Sequence, residues 1–186
     1  MGFKYKIYDQ SQAYYLTFTV VQWVDIFSRK IYKDIIIESL KHCQNNKGLN
    51  IFAYVIMTNH MHLLVNSEIG DLSQIVCDFK KFTSKKIIKT IQTEPESRKD
   101  WMLNLFSFEA KKHSRNKNYQ FWIQENHPIE IFSNKFIKQK VEYIHNNPVR
   151  AGIVENPWDY LYSSARNYAR VESFLDVIML DLSGEF

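Results

Sequence analysis

Cysteine is nearly absent: Cys43 and Cys77 are the only two, far apart and outside any C-x-x-C pattern. That excludes a disulfide scaffold and points to a reducing compartment, the cytoplasm. Long apolar runs are missing as well. The N-terminal "MGFKYKIYDQ" has no apolar stretch of the signal-peptide kind, and no later run approaches membrane-spanning length. The residues after Gly2 complete no acylation motif. A soluble protein without a membrane partner is expected. Repeats, low-complexity segments and long linkers are lacking too. The 186 residues therefore read as one domain, 1–186, with 155–186 as an aromatic C-terminal extension packing back on it.

What is present is a core and a mild positive charge. Hydrophobic residues make up 45%, which excludes a disordered chain. Aromatic residues reach 15%, material either for packing or for stacking on unpaired bases. A net charge of +4 and a pI near 8.9 permit an anionic partner without requiring one.

The apolar pattern changes period along the chain. Leu16, Phe18 and Val20 alternate with Thr17 and Thr19, a strand signature over Tyr14 to Val21. Ile36, Leu40 and Cys43 fall at helical spacing, and Gly48 offers a stop. "LNIFAYVIM" and "HLLVNS" read as two strands of a hairpin around the polar Thr58-Asn59 pair. Asp71 or Ser73 is placed to cap a helix whose face carries Leu72, Ile75, Phe79 and Phe82. "IQTEPESRKD" reads as a loop, "WMLNLFSFEA" as a short helix, and "YQFWIQ" as a further strand. Ser133 caps a last helix expected to run to about Asn146 and to stop at Pro148, with Gly152 beyond. This order predicts an α+β domain built on a mostly antiparallel sheet.

Histidine is scarce, six in all, yet two stand one residue apart in "MTNHMHLLV". In a strand His60 and His62 share a face and Met61 takes the other. The pair is either a bidentate metal clip or two polar residues on a solvated face. A catalytic divalent site needs a further ligand and open positions. On the last helix Tyr143 and Asn147 stand at i, i+4, off the stripe of Ile137, Val141 and Ile144, with Lys140 near their row. Read blandly, Tyr143 is a surface aromatic and Asn147 a helix cap. Read chemically, Asn147 offers an amide oxygen to the metal of the histidine pair.

"HMH", "DFKKFTSKKI", "FWIQENHPIEI", "YIHNNPVRAGIV" and "YLYSSARNYA" occur in this order. In these residues the chain resembles the single-tyrosine HUH transposases, specifically the REP-associated tyrosine transposases, over about Tyr14 to Ala169. The resemblance implies a ferredoxin-like or RRM-like antiparallel sheet with packed helices and the HUH strand central. It implies that His60, His62 and Asn147 bind a divalent metal, Mg²⁺ or Mn²⁺. It also implies that Tyr143 is the nucleophile, cutting and rejoining single-stranded DNA near hairpins through a 5′-phosphotyrosine. Thr58 stands where many relatives have proline. Monomeric and homodimeric forms both occur among such proteins.

Basic residues mark where DNA is expected, although charge runs also serve as ordinary solvated surface. Lys80, Lys81, Lys85, Lys86 and Lys89 lie on the helix after the HUH strand. Lys111, Lys112, Arg115 and Lys117 form a second cluster, while Lys140 and Arg150 flank the tyrosine. Trp122 and Phe121 are candidates for base stacking or for core packing. Two other readings stand beside the transposase: a catalytically silent hairpin-binding protein of the same fold, and a metal-dependent hydrolase in which Tyr143 is structural.

Overall fold

A computed structural model describes residues 7–10, 12–112 and 118–182. Its strands are β1 (Tyr14–Thr19), β2 (Leu49–Ile56), β3 (His60–Ser67) and β4 (Ile129–Glu130). They form one sheet in the order β2-β3-β1-β4, with every pairing antiparallel. Helices α1 (Lys30–Lys47), α2 (Leu72–Thr93), α3 (Lys99–Lys111), α4 (Asn134–Arg150) and α5 (Ala165–Tyr168) complete the α+β architecture. No helix among the described residues is long and apolar enough to cross a membrane.

Both faces of the sheet are covered, which explains why β3 reads as a nearly continuous apolar run after its histidines. On β1 the alternation holds: Leu16 and Phe18 are buried toward one layer, and Tyr15 and Thr17 face the other. Phe18 lies opposite Met61 and meets Phe79 of α2, so α2 belongs to the Met61 layer. Thr17 lies opposite His62, whose ring faces Tyr143 of α4, so α4 belongs to the opposite layer. Gly48 closes α1 in a left-handed conformation at φ 64°, open to glycine without a steric cost.

The β2–β3 turn is pinned from outside. Val20 N–H donates to the Asn59 carbonyl and Phe27 N–H to the Thr58 carbonyl. Just after β1, Gln22 and Trp23 are both left-handed, at φ 53° and 54°. For side chains of this size that conformation costs about 1–2 kcal/mol per residue. The C-terminal segment covers the β2 edge: Ile56 N–H donates to the Tyr162 carbonyl, Ser164 N–H to Tyr54, and Ile178 N–H to Ile51. An open edge is thereby paired.

Four local expectations are corrected. Phe82 is 59% exposed and Thr83 takes the core position, because its hydroxyl accepts the Trp122 indole N–H and donates to the Phe79 carbonyl. "IQTEPESRKD" is a loop only in its middle, since α2 runs to Thr93 and α3 begins at Lys99. "YQFWIQ" makes only an isolated bridge, Val20 to Trp122, and the fourth strand is Ile129–Glu130. The carbonyls of Ile123 and Gln124 are taken by the Lys80 ammonium instead of a ladder. Finally, α4 passes through Pro148 to Arg150. In the last turn proline forfeits a single backbone bond, and Ala151 N–H still reaches the Asn147 carbonyl.

Candidate active site

His60 and His62 project from β3 on the face opposite buried Met61, with ring centroids 4.9 Å apart. Each has its Nδ1 engaged. His60 Nδ1 lies 2.7 Å from Asn59 Oδ1. The Asn59 amide is oriented by its Nδ2, which donates to the Trp23 carbonyl at 3.3 Å. An amide oxygen only accepts, so the His60 proton sits on Nδ1 and the lone pair on Nε2. His62 Nδ1 lies 2.7 Å from the Tyr15 hydroxyl and 3.0 Å from that of Thr17. Both partners are hydroxyls, able to donate or accept, so the ring is held in either tautomer. Hydrogen bonds to the second nitrogen are how metal-binding histidines are generally oriented.

Burial holds both imidazoles neutral. His60 is shifted below its ordinary value by burial. His62 is pushed down to about 3, first by burial, then by His60 and Lys140. A neutral imidazole is the form that ligates a cation.

Helix α4 brings the other half. Ser133 caps it, its hydroxyl accepting the Phe136 N–H at 3.3 Å. Val141 and Ile144 are buried beneath the helix, while Tyr143 is 37% exposed. The Tyr143 ring meets His62 at 5.5 Å and Tyr15 at 6.2 Å, both edge-on. Asn147 sits one turn later on the same row. Its Nδ2 donates to the Tyr143 carbonyl at 2.8 Å, which leaves Oδ1 as the amide's acceptor. Lys140 Nζ lies 4.6 Å from the Tyr15 ring and 5.9 Å from that of Tyr143. The Arg150 guanidinium lies 5.3 Å from the Tyr143 ring. The phenol is therefore flanked by two cations. Burial, with a contribution from Tyr143, pushes the Tyr15 phenol well above its ordinary range, so Tyr15 stays neutral. His145, two residues from Tyr143, faces away: its Nε2 is 2.9 Å from the Ser164 hydroxyl, and burial pushes its pKa down to about 4.

Among the described residues no group of three His, Cys, Asp or Glu side chains assembles. An amide oxygen is the further donor type that the helix row of Tyr143 offers, through Asn147. Two imidazole nitrogens and one amide oxygen fit a divalent cation that keeps open positions for a phosphate.

Not all expected DNA contacts gather here. Lys81, Lys85, Lys86 and Lys89 are exposed, but α2 packs on the Met61 layer, across the sheet from the histidine face. Lys80 is not a surface cation. Its Nζ is 2.7 Å from the Ile123 carbonyl, 3.2 Å from that of Gln124 and 2.6 Å from Asn126 Oδ1. Burial pushes its pKa down to about 8. It is a strut rather than a phosphate contact. Lys111 and Lys112 are exposed at the end of α3, where Lys112 pairs with Glu109 at 2.6 Å. Arg115 and Lys117 lie outside the described residues. Phe121 and Trp122 are buried in the core and are corrected as stacking candidates.

Four residues of the site were not foreseen: Tyr15, Thr17, Asn59 and Trp23. Asn59 had a local signal, its place beside His60. Tyr15 and Thr17 depend on strand pairing and Trp23 on a left-handed turn, neither of which a local pattern reveals.

A family model described as "Transposase IS200 like" matches residues 10–126, more than half of the chain. The match takes in β3 and its histidines and ends before α4. Among solved structures, the chain is similar to a REP-associated tyrosine transposase bound to a REP hairpin. The TM-score is 0.64 at 18% identity, covering 100% of this chain and 99% of that one. At that identity the likeness is one of fold. A search of curated proteins finds no match. With its matched histidine strand and shared fold, the chain belongs to the IS200-like transposase family.

Proposed function

We propose that this protein cuts and rejoins single-stranded DNA beside a hairpin, with Tyr143 as nucleophile. The observation that carries the reading is the Tyr143 ring set 5.5 Å from His62, whose ring in turn lies 4.9 Å from that of His60. The hairpin is carried over from the similar solved structure.

His60, His62 and Asn147 would hold a divalent metal, Mg²⁺ or Mn²⁺, which when bound polarises the scissile phosphate and offsets charge on its oxygens. The chain's own residues do the rest. Lys140 and Arg150 place positive charge near the Tyr143 ring, where phosphate charge arrives. The Tyr143 oxygen attacks phosphorus and the bond to the 3′-oxygen breaks. The phenol loses its proton to solvent, and the departing 3′-oxygen takes one up. A phosphoester replaces a phosphoester, so the reverse attack by a 3′-hydroxyl rejoins strands without ATP. Tyr15 and Thr17 hold His62, and Asn59 holds His60, so that the ligand atoms are set before DNA arrives.

The test is incubation with single-stranded hairpin DNA whose flanks are randomised, with Mn²⁺, followed by denaturing electrophoresis. A covalent adduct lost in Tyr143→Phe is the expected result. Cleavage that survives Tyr143→Phe points instead to a water nucleophile, and binding without cleavage to a silent hairpin binder. His60→Ala is expected to abolish the adduct while leaving DNA affinity within about threefold, because affinity rests on backbone phosphates.

A further inference from the structure

Trp23 is the least explained large side chain near the site. It is 61% exposed, yet its ring lies 6.0 Å from that of His60. The turn carrying it is left-handed at two successive residues. It is tied at three points: Trp23 N–H donates to the Val20 carbonyl, the Trp23 carbonyl accepts from Asn59, and Gln22 Nε2 donates to Glu109 at 2.8 Å. The turn is held firmly while the indole it carries is left in solvent, where it gains little from core packing. Strained, over-determined backbone of this kind concentrates where ligands bind.

We propose that Trp23 is the stacking platform for an unpaired base, that of the nucleotide immediately 5′ of the cut, which departs with the 3′-hydroxyl. The inference rests on the reading of Tyr143 as nucleophile and deepens it. Order along β3 decides the side. Tyr143 stands at His62, and Trp23 stands at His60, the next residue on that face. In a phosphoryl transfer the entering and leaving oxygens lie roughly in line through phosphorus. With the phosphate at the histidine pair, the phenol enters on the His62 side and the 3′-oxygen leaves on the His60 side, under the indole.

Charge on that side suits a nucleic-acid strand. Gln22 reaches Glu109, and Glu109 pairs with Lys112, so the basic end of α3 adjoins the Trp23 turn. The Glu109 carboxylate neutralises part of that charge, and Lys111 adds to it. Aromatic faces accept any base, so the contact orders the strand without fixing its sequence.

The experiment takes the oligonucleotide cut in the adduct assay, with its cut position mapped. Nucleotides from three before to three after the cut are replaced singly by abasic residues. For the wild-type protein, the abasic residue just 5′ of the cut is expected to raise KM about tenfold. For Trp23→Ala the KM is raised on the intact strand, and that same abasic residue adds nothing further. Trp23→Phe restores most of the affinity, which a merely structural role would not produce. The proposal is overturned if Trp23→Ala stays as sensitive to that abasic residue as the wild type. It is also overturned if the sensitive nucleotide lies 3′ of the cut. Absence of any Tyr143-dependent adduct from the wild type overturns the underlying reading, and is told apart because it precedes the abasic series.

Discussion

Replacing Tyr15 by phenylalanine asks whether His62 is held for metal binding. The ring remains, stacked on His62 at 5.4 Å and carrying Lys140 at 4.6 Å. Only the hydroxyl is lost, and with it one of the two bonds on His62 Nδ1, at 2.7 Å, leaving that of Thr17 at 3.0 Å. A neutral hydrogen bond contributes about 0.5–1.5 kcal/mol, which is about two- to tenfold in a binding constant. With Thr17 in place, the lower half of that range is expected for the single variant. Tyr15→Phe with Thr17→Val strips Nδ1 of both partners and frees the ring to turn. The loss should then reach the 10- to 100-fold, roughly, that outer partners of metal ligands contribute. The assay is adduct yield against Mn²⁺ concentration, with calorimetric Mn²⁺ titration as a check free of DNA. The midpoint is expected to move to higher Mn²⁺ while the saturating yield holds. The reasoning fails if the double variant, folded by circular dichroism, keeps the wild-type midpoint. It fails equally if yield drops at saturating metal with the midpoint fixed, since Tyr15 would then act on the reaction and not on the ligand.

Other outcomes follow from the same geometry. Lys80→Met removes three bonds from a buried ammonium and should lower stability in urea by about 2–3 kcal/mol, the scale for bonds to a charged group. Its DNA affinity, measured on the folded protein, should change less than that of Lys140→Ala. Stability should fall on acidification: His145 and His62 titrate at about 4 and about 3 when folded, against 6.5 ordinarily. The unfolded chain binds the protons that the folded one refuses. The contribution is therefore full above pH 6.5 and is lost as pH falls toward 4, with a slope of at most about 1.4 kcal/mol per pH unit for each histidine. Urea midpoints across that window check it, and His145→Gln should make the slope shallower. Lys81, Lys85 and Lys89 changed together to alanine should leave the single-turnover cleavage rate within about twofold, because α2 lies across the sheet from Tyr143. Lys140→Ala should lower the same rate about tenfold, the scale of one charge-assisted contact.

Much of the fold was legible because its information is local. Leu16, Phe18 and Val20 at period two, and Ile36, Leu40 and Cys43 at helical spacing, are patterns in adjacent residues, and they mark β1 and α1 close to their observed bounds. The failures share a cause, which is a partner distant in the chain. Phe82 has the right spacing and hydrophobicity for the α2 core face. Thr83 takes the place because Trp122, 39 residues on, needs its hydroxyl. "YQFWIQ" has strand composition, but Lys80, 43 residues earlier, takes the Ile123 carbonyl. The lysines of α2 show a clear row, yet spacing along a helix does not say which face of the sheet that helix covers. That depends on Phe79 meeting Phe18.

The candidate site was legible in its proposed chemical groups, through the family resemblance, and illegible in its support. His60 and His62 announce a shared face through strand alternation alone. Spacing alone leaves Tyr143 open as a surface aromatic and Asn147 as a helix cap, and it is the ordered motifs shared with the resembling family that single them out. Those four are the groups that would touch metal or phosphate, and a group that touches a ligand must carry the right functional atoms, so its residue type is restricted. The supporting residues are chosen by position instead. Many hydroxyls are able to bond His62 Nδ1, and Tyr15 and Thr17 do so because antiparallel pairing sets Thr17 opposite His62. Trp23 depends on geometry still further, on a left-handed turn held by Asn59 and by Gln22 through Glu109. Nothing in "VVQWVD" proclaims that turn. It becomes visible only when the indole is found exposed beside His60, the next residue on the strand face from His62, which Tyr143 meets. Groups that would touch metal or phosphate are thus restricted in residue type, and residues that hold them in line are found only from coordinates.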